Sequence, residues 1–377
     1  MKATAITGAH FFTNPGLLAG ALLVALTSLG CSKPKHEAPA PAEKPAQQAK
    51  QPESPVAKFA DTQKFAALPE MPVPKKNPQT DEKVALGKKL FFDKRLSADG
   101  SVACYSCHQD SDGTGGGVPT AIGANEKKLS RHSPTMYNVG YLPALYWDGR
   151  AKSLEAQMKG AWAGGNMGVG KDNLETKAQE IIALPEYAAD FKNAFPEEAP
   201  AADLIAQAIS SYERTIVCSD TKFDKYAAGD KGALSDQEKD GLEVFMGKGM
   251  CTACHAPPFF STAYFGKGTF YNVGIGIEGK EEADVDVGRM KVSEKESDWA
   301  AFKVPSLRNI TKSAPYFHDG HTSDLKAAVR FMASGGYDNK NKTPLMMDKK
   351  LSDEEIDLIV AFLGALECGT PLQQPQK

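Results

Sequence analysis

Polar and apolar positions along the chain predict a mainly helical protein. Asp81 to Phe92 reads as an amphipathic helix with Val84, Leu86, Leu90 and Phe91 apolar. Ala201 to Ile216 does likewise through Leu204, Ile205, Ala208, Ile209 and Tyr212. Ser235-Asp-Gln-Glu238 and Ser352-Asp-Glu-Glu355 are capping boxes, each opening a further helix. The first of these carries Leu242 and Phe245. The second sets Ile356, Ile359, Val360, Leu363 and Leu366 on one face. Between the helices lie long Gly- and Pro-bearing stretches at 110–150 and 256–318. Loops of that length inside a compact domain are usually functional.

The ends of the chain read differently. Gly16 to Leu26 is an apolar run behind Lys2, too short for a stable transmembrane anchor and suited to a signal-peptide core. It leads to Ser28-Leu29-Gly30-Cys31, which resembles a bacterial lipoprotein cleavage site with Cys31 acylated, although Ser28 stands where that pattern prefers Leu. Ordinary cleavage nearby with an unmodified Cys is the other reading. Residues 32–58 are rich in Pro, Ala, Lys and Gln without apolar periodicity, as expected of a disordered spacer. The remainder suffices for two domains, expected at 59–216 and 217–377. A net charge of −3 carries no nucleic-acid footprint.

Candidate chemistry comes from the cysteines. Cys104-Tyr-Ser-Cys107-His108 and Cys251-Thr-Ala-Cys254-His255 lie about 150 residues apart and use four of the seven Cys. Cys-x-x-Cys-His is the attachment signature of haem c, with two thioether bonds to the porphyrin and the His as axial iron ligand. A zinc site would have to gather its four ligands in one place, and a thioredoxin-like pair has no need of the His. With Cys31 set aside, Cys218 and Cys368 remain, as a disulfide closing the second domain or as two buried thiols. A helix before each motif, ending in Leu90-Phe91-Phe92 or containing Leu242-Glu-Val-Phe245, suggests a duplicated cytochrome c-like unit.

Further motifs surround these: Leu90-Phe-Phe-Asp-Lys-Arg-Leu96, Ser133-Pro-Thr135, Trp147-Asp-Gly-Arg150, Tyr212-Glu-Arg-Thr215, Phe223-Asp-Lys-Tyr226, Val304-Pro-Ser-Leu-Arg-Asn309 and Ala314-Pro-Tyr-Phe-His-Asp-Gly320. Their order and spacing resemble the bacterial di-haem cytochrome c peroxidase family, which includes the MauG-type maturases, over nearly everything after residue 60. The resemblance implies a fold of two cytochrome c-like haem domains with long loops. It implies that the C-terminal haem, held by Cys251, Cys254 and His255, is the electron-entry site with Met332 as second axial ligand. A thioether stabilises ferrous iron and raises the potential; core packing in a helix is the other reading of Met332. The N-terminal haem, on Cys104, Cys107 and His108, is by the same resemblance the peroxide site. Trp147 then corresponds to a tryptophan between the haems, or is a packed aromatic. Gln157 corresponds to a distal-pocket glutamine, or is a surface helix residue. His318 corresponds to a histidine donating to a haem propionate. His321 has no counterpart.

Three departures stand out. The family's removable His ligand follows an Ile-Gly pair; here Ile122-Gly123 is followed by Ala124, and His132 is the nearest substitute. The family's distal Glu sits in a Glu-Met-Gly run; here it reads Asn166-Met167-Gly168, and an amide cannot accept a proton during O–O cleavage. Met167 in that run is either packed or an iron ligand. A structural calcium has an Asn ligand where His132 stands, a poor exchange for a hard cation, although the Ser313 and Pro315 carbonyls persist.

The expected activity is therefore a periplasmic di-haem oxidoreductase. It reduces hydrogen peroxide with electrons from a small cytochrome c or cupredoxin, and its membrane contact is limited to a lipid on Cys31. A homodimer is an expectation from relatives. Oxidation of a partner protein, or non-catalytic electron carriage or sensing, are the competing readings.

Overall fold

A computed structural model of the chain describes residues 62–197, 199–266, 269–369 and 372. The expectations for residues 1–58, Cys31 included, lie outside the described residues. The helices are α1 (Asp81–Phe91), α2 (Leu154–Ala163), α3 (Leu174–Ile182), α4 (Pro185–Ala194), α5 (Ala201–Glu213), α6 (Lys222–Ala227), α7 (Asp236–Met246), α8 (Leu325–Ala333) and α9 (Asp353–Gly364). Two short strands, β1 (Phe270–Tyr271) and β2 (Phe302–Lys303), pair antiparallel with Phe270 opposite Lys303. The stretches at 110–150 and 256–318 hold single turns of 3₁₀ helix, the 290–293 helical turn and this ribbon, and otherwise wrap the cavity described below. Among the described residues no helix is long and apolar enough to cross a membrane.

Local chemistry explains the boundaries. Thr80 caps α1, and Ser235 and Ser352 form the anticipated capping boxes with Glu238 and Glu355. The expected helix to Ile216 ends at Glu213 because Thr215 and Ile216 turn back onto the Tyr212 and Glu213 carbonyls in a tighter turn.

Two large hydrophobic clusters hold the fold, beside a small third one at Val285, Trp299 and Ala300. The first gathers α1 to α5 around Leu90, Phe91, Trp162, Ile205 and Ile209; the second gathers α7 and α9 around Phe223, Phe245, Phe260 and Phe362. The helix before each Cys-x-x-Cys-His motif crosses the helix that closes its half, α1 on α5 and α7 on α9. Both crossings use the same device, a glycine four residues before the phenylalanine that reaches the cavity: Gly87 with Phe91, and Gly241 with Phe245. A Cβ at Gly87 would overlap the Ala208 carbonyl oxygen, and one at Gly241 that of Leu358. Alanine is ordinarily about 1 kcal/mol better than glycine inside a helix. Here backbone overlap decides the sign, and Gly241→Ala is expected to lose about 1–3 kcal/mol. A higher denaturant midpoint in that variant would refute the close crossing.

Cys218 and Cys368 are joined by a disulfide across a sequence separation of 150. Of the two expected readings, the disulfide is the one found, and its surroundings add where it lies. Cys218 belongs to the first cluster, Cys368 packs against that cluster, and Leu372 joins it. The bond therefore ties the end of the chain back to the first half. Closing so long a loop restricts the unfolded chain, so Cys218→Ser with Cys368→Ser should cost about 2–4 kcal/mol. Denaturant titration of the double variant checks this; an unchanged midpoint would show that the link adds no stability.

Candidate functional site

The first motif begins as one helical turn, Cys104–Cys107, with the Ser106 hydroxyl accepting from the Ala103 amide at 3.0 Å. His108 then leaves the turn, and its Nδ1 lies 2.9 Å from the Thr114 carbonyl. That carbonyl belongs to a loop held by Thr135. The Thr135 hydroxyl donates to the Gly113 carbonyl at 3.0 Å and lies 2.9 Å from the Thr114 hydroxyl, which also accepts from the Met136 amide at 2.9 Å. The Ser133-Pro-Thr135 segment is thus a clamp on the residue that orients the imidazole.

The second motif repeats the arrangement with other side chains. His255 Nδ1 lies 3.0 Å from the Phe260 carbonyl. Three hydrogen bonds from the 304–308 segment and Ser261 secure the loop that carries it. Ser306 donates to the Phe259 carbonyl at 2.7 Å, Arg308 Nε to that of Pro258 at 2.8 Å, and Ser261 to that of Val304 at 2.8 Å. Arg308 is itself fully buried and held by a fork of two 2.7 Å bonds to Asp224. A carbonyl facing Nδ1 requires the proton there, which leaves Nε2 as the metal-binding nitrogen in both motifs.

Protonation suits this use. Burial lowers the pKa of both imidazoles, to about 4 for His255, so each is neutral near pH 7 as a metal ligand must be. Burial raises all four motif thiols, Cys251 to about 12. A redox dithiol is favoured by the opposite, a thiolate stabilised near neutral pH, so burial here speaks against the thioredoxin-like reading. The described residues also contain no cluster of three or more His, Cys, Asp or Glu able to hold a metal, so the zinc reading has no ligand set.

Both motifs open on one cavity of about 1270 Å³. A pocket for one small ligand spans roughly 300–1,000 Å³, so the space suits more than one group. Gln157, Asn166 and Met167 line it with the first motif; Met332 lines it with the second. Met332 shares its face of α8 with Leu325, Ala328 and Val329, which all line the cavity at helical spacing. Trp147 stands at the junction. Its indole donates to the His132 carbonyl at 2.8 Å, while its own carbonyl accepts from the Lys303 amide at 2.7 Å. His318 lies edge-on to Trp147 at 6.3 Å and stacks on Phe302 at 3.6 Å, buried, with its pKa lowered to about 4 by that burial.

The structure changes the reading of His132. Its Nδ1 faces the Val118 carbonyl at 2.9 Å, on the segment that follows the Thr114 turn beside His108. The imidazole expected as the nearest substitute for the missing ligand is thus engaged by backbone carbonyls. Ala124, where that ligand is expected, is buried and donates its amide to the Asn166 carbonyl at 3.0 Å. The carbonyl of Ser313 also faces the His132 imidazole. An imidazole among carbonyls is a poor donor set for calcium, which the residues here do not fit.

Two cavity residues escaped the sequence reading. Lys303, buried in β2, has its pKa pushed down to about 8 by burial, with no carboxylate beside it among the described residues. Glu213 is buried at the end of α5, and burial pushes its pKa up to about 8. Each had a signal: Lys303 interrupts the run Trp299-Ala-Ala-Phe-Lys-Val304, and Glu213 continues the Ile205, Ile209 stripe. A buried cation such as Lys303 fits a haem carboxylate.

Comparisons with known proteins point to one family. The family model for di-haem cytochrome c peroxidase matches residues 81–232. The chain is 36% identical to the cytochrome-c peroxidase IdrP1 of Pseudomonas sp. (strain SCT), over 82% of this chain and 86% of that one. It is 37% identical to the methylamine utilization protein MauG of Methylorubrum extorquens, over 81% and 83%, and 36% identical to the cytochrome c551 peroxidase of Pseudomonas aeruginosa, over 78% and 81%. Among solved structures, a MauG-like protein associated with microbial copper homeostasis superposes with a TM-score of 0.73 at 28% identity, covering 82% of this chain and 97% of that one. The diheme peroxidase BthA of Burkholderia thailandensis shares the fold at a TM-score of 0.66 and 20% identity, covering 82% and 92%. Relatedness of this depth over most of its length makes the chain a member of the di-haem cytochrome c peroxidase family, an oxidoreductase enzyme with two covalently bound haem c groups.

Proposed function

We propose that the protein reduces hydrogen peroxide to water in the periplasm, taking electrons from a small cytochrome c or cupredoxin. The observation that carries this reading is the single cavity shared by two unlike sites, with Trp147 hydrogen-bonded to both halves between them. When bound, the haems supply one-electron chemistry and the position at which peroxide reacts. His255 and Met332 would hold the iron of the second haem, the electron-entry site. Trp147, buried and fixed at both its indole and its carbonyl, bridges to the first site. Gln157 and Asn166 orient peroxide there by hydrogen bonds, in the half formed by residues 59–216, while 217–377 forms the electron port. Each turnover consumes two electrons and two protons per peroxide.

Oxidation of reduced cytochrome c by peroxide tests this. Turnover well above that of an equal amount of free haem is expected, and a rate no faster would overturn it. Asn166, which cannot carry a proton, favours a second reading in which a partner protein is the substrate oxidised. Carbon monoxide binding to the reduced protein bears on both. Binding at one iron supports an open first site, whereas binding at neither leaves only an electron carrier or sensor.

A further inference from the structure

Glu213 is a carboxylic acid in an unusual place. It is 4% exposed, it lines the haem cavity, and its Oε2 has no hydrogen-bond partner among the described residues. Its neighbour Arg214 does not neutralise it by contact, because that guanidinium turns to Glu155 at 2.6 Å. Cys104 lines the same cavity, close enough for the Glu213 charge to act on it. An unpaired buried carboxylate is expensive, and burial favours the neutral acid in a group so placed.

We propose that Glu213 is a redox-linked proton site for the haem attached at Cys104, Cys107 and His108. Glu213 binds one proton from solvent as one electron arrives from the donor protein, and returns that proton to solvent as the electron leaves. The physics is electrostatic. An added electron favours the neutral acid, and loss of the electron favours the carboxylate, across a region where charges are weakly screened. Linkage makes the effect reciprocal, so the affinity of this haem for its electron must depend on pH. Among the described residues the other charged groups facing Glu213 are few. Arg214, which lowers its pKa, and Glu155, which raises it, are paired with each other. Lys83 on α1 is held by the Asn77 side chain at 3.3 Å and the Pro78 carbonyl at 3.1 Å and acts on Arg214. Cys104 ceases to titrate once it is a thioether.

The inference rests on haem attachment at the first motif and does not require that peroxide be the substrate. The test is a spectroelectrochemical titration of the full holoprotein at a series of pH values bracketing about 8. The midpoint potential of the first haem should fall as pH rises through this window, by up to the tenfold-per-unit limit of about 59 mV for one electron. Glu213→Gln, nearly isosteric, should abolish that slope. A flat wild-type potential, or an unchanged slope in the variant, overturns the proposal. If the variant fails to incorporate haem, redox-difference infrared spectra of the wild type decide instead: a carboxylic C=O band that changes with the first haem supports it, and its absence refutes it. Absent haem would appear in the absorption spectrum before any titration, and absent peroxidase activity would leave both potentials measurable.

Discussion

Replacing Asn166 by Glu is expected to raise peroxide turnover by about 10²–10⁴-fold, the usual contribution of a positioned acid–base group. O–O cleavage requires a proton to move from the inner to the outer oxygen, and the amide present can only orient the molecule. The substitution adds the missing proton carrier without rebuilding the loop, because the backbone around it is already tied down. The Asn166 carbonyl accepts from Ala124 at 3.0 Å, the Met167 carbonyl from Ala98 at 2.8 Å, and the Gly168 amide donates to Gly164 at 2.7 Å. Asn166→Ala, by contrast, should lower turnover modestly, since it removes orientation alone. Steady-state peroxidase kinetics at matched haem content distinguish the two. If Glu at this position leaves the rate unchanged, Asn166 does not face the reacting peroxide, and the proton carrier lies elsewhere in the cavity wall.

How far the chain was readable depends on which interactions involve side chains with a pattern. The capping boxes at Ser235 and Ser352 and the paired Cys-x-x-Cys-His motifs are local, and each predicts its own geometry. The glycines at 87 and 241 were visible as residues, but their meaning was not, because what excludes a Cβ is the carbonyl of a helix more than a hundred residues away. The acceptors that orient His108 and His255 are backbone carbonyls of Thr114 and Phe260, and a carbonyl leaves no mark in sequence. Helices α2, α3 and α4 went unread for a related reason. In α2 the buried stripe is the single row Leu154, Met158 and Trp162, because the neighbouring row, Gln157 and Ala161, lines the cavity rather than another helix, so the apolar pattern is narrow. The pairing of Cys218 with Cys368 depended on the chain returning to the first cluster, and that return is set by packing.

Met332→His is expected to lower the midpoint potential of the second haem by roughly a few hundred mV, within the span of about 0.8 V over which axial ligands tune haem iron. The thioether favours the ferrous state, whereas imidazole, a stronger donor, favours the ferric. The geometry makes the substitution informative. Met332 lies on the cavity-facing row of α8 with Leu325, Ala328 and Val329, and Asp324 caps that helix through the Lys326 and Ala327 amides, so the side chain is presented from a fixed backbone. Because electrons enter at this haem in the proposed route, turnover with a cytochrome donor should collapse. Carbon monoxide binding at the first haem should survive. The two readouts separate loss of the electron port from loss of the fold. An unchanged potential, with the wild-type absorption of the second haem intact, would return Met332 to the core of α8 and require another axial ligand for His255's iron.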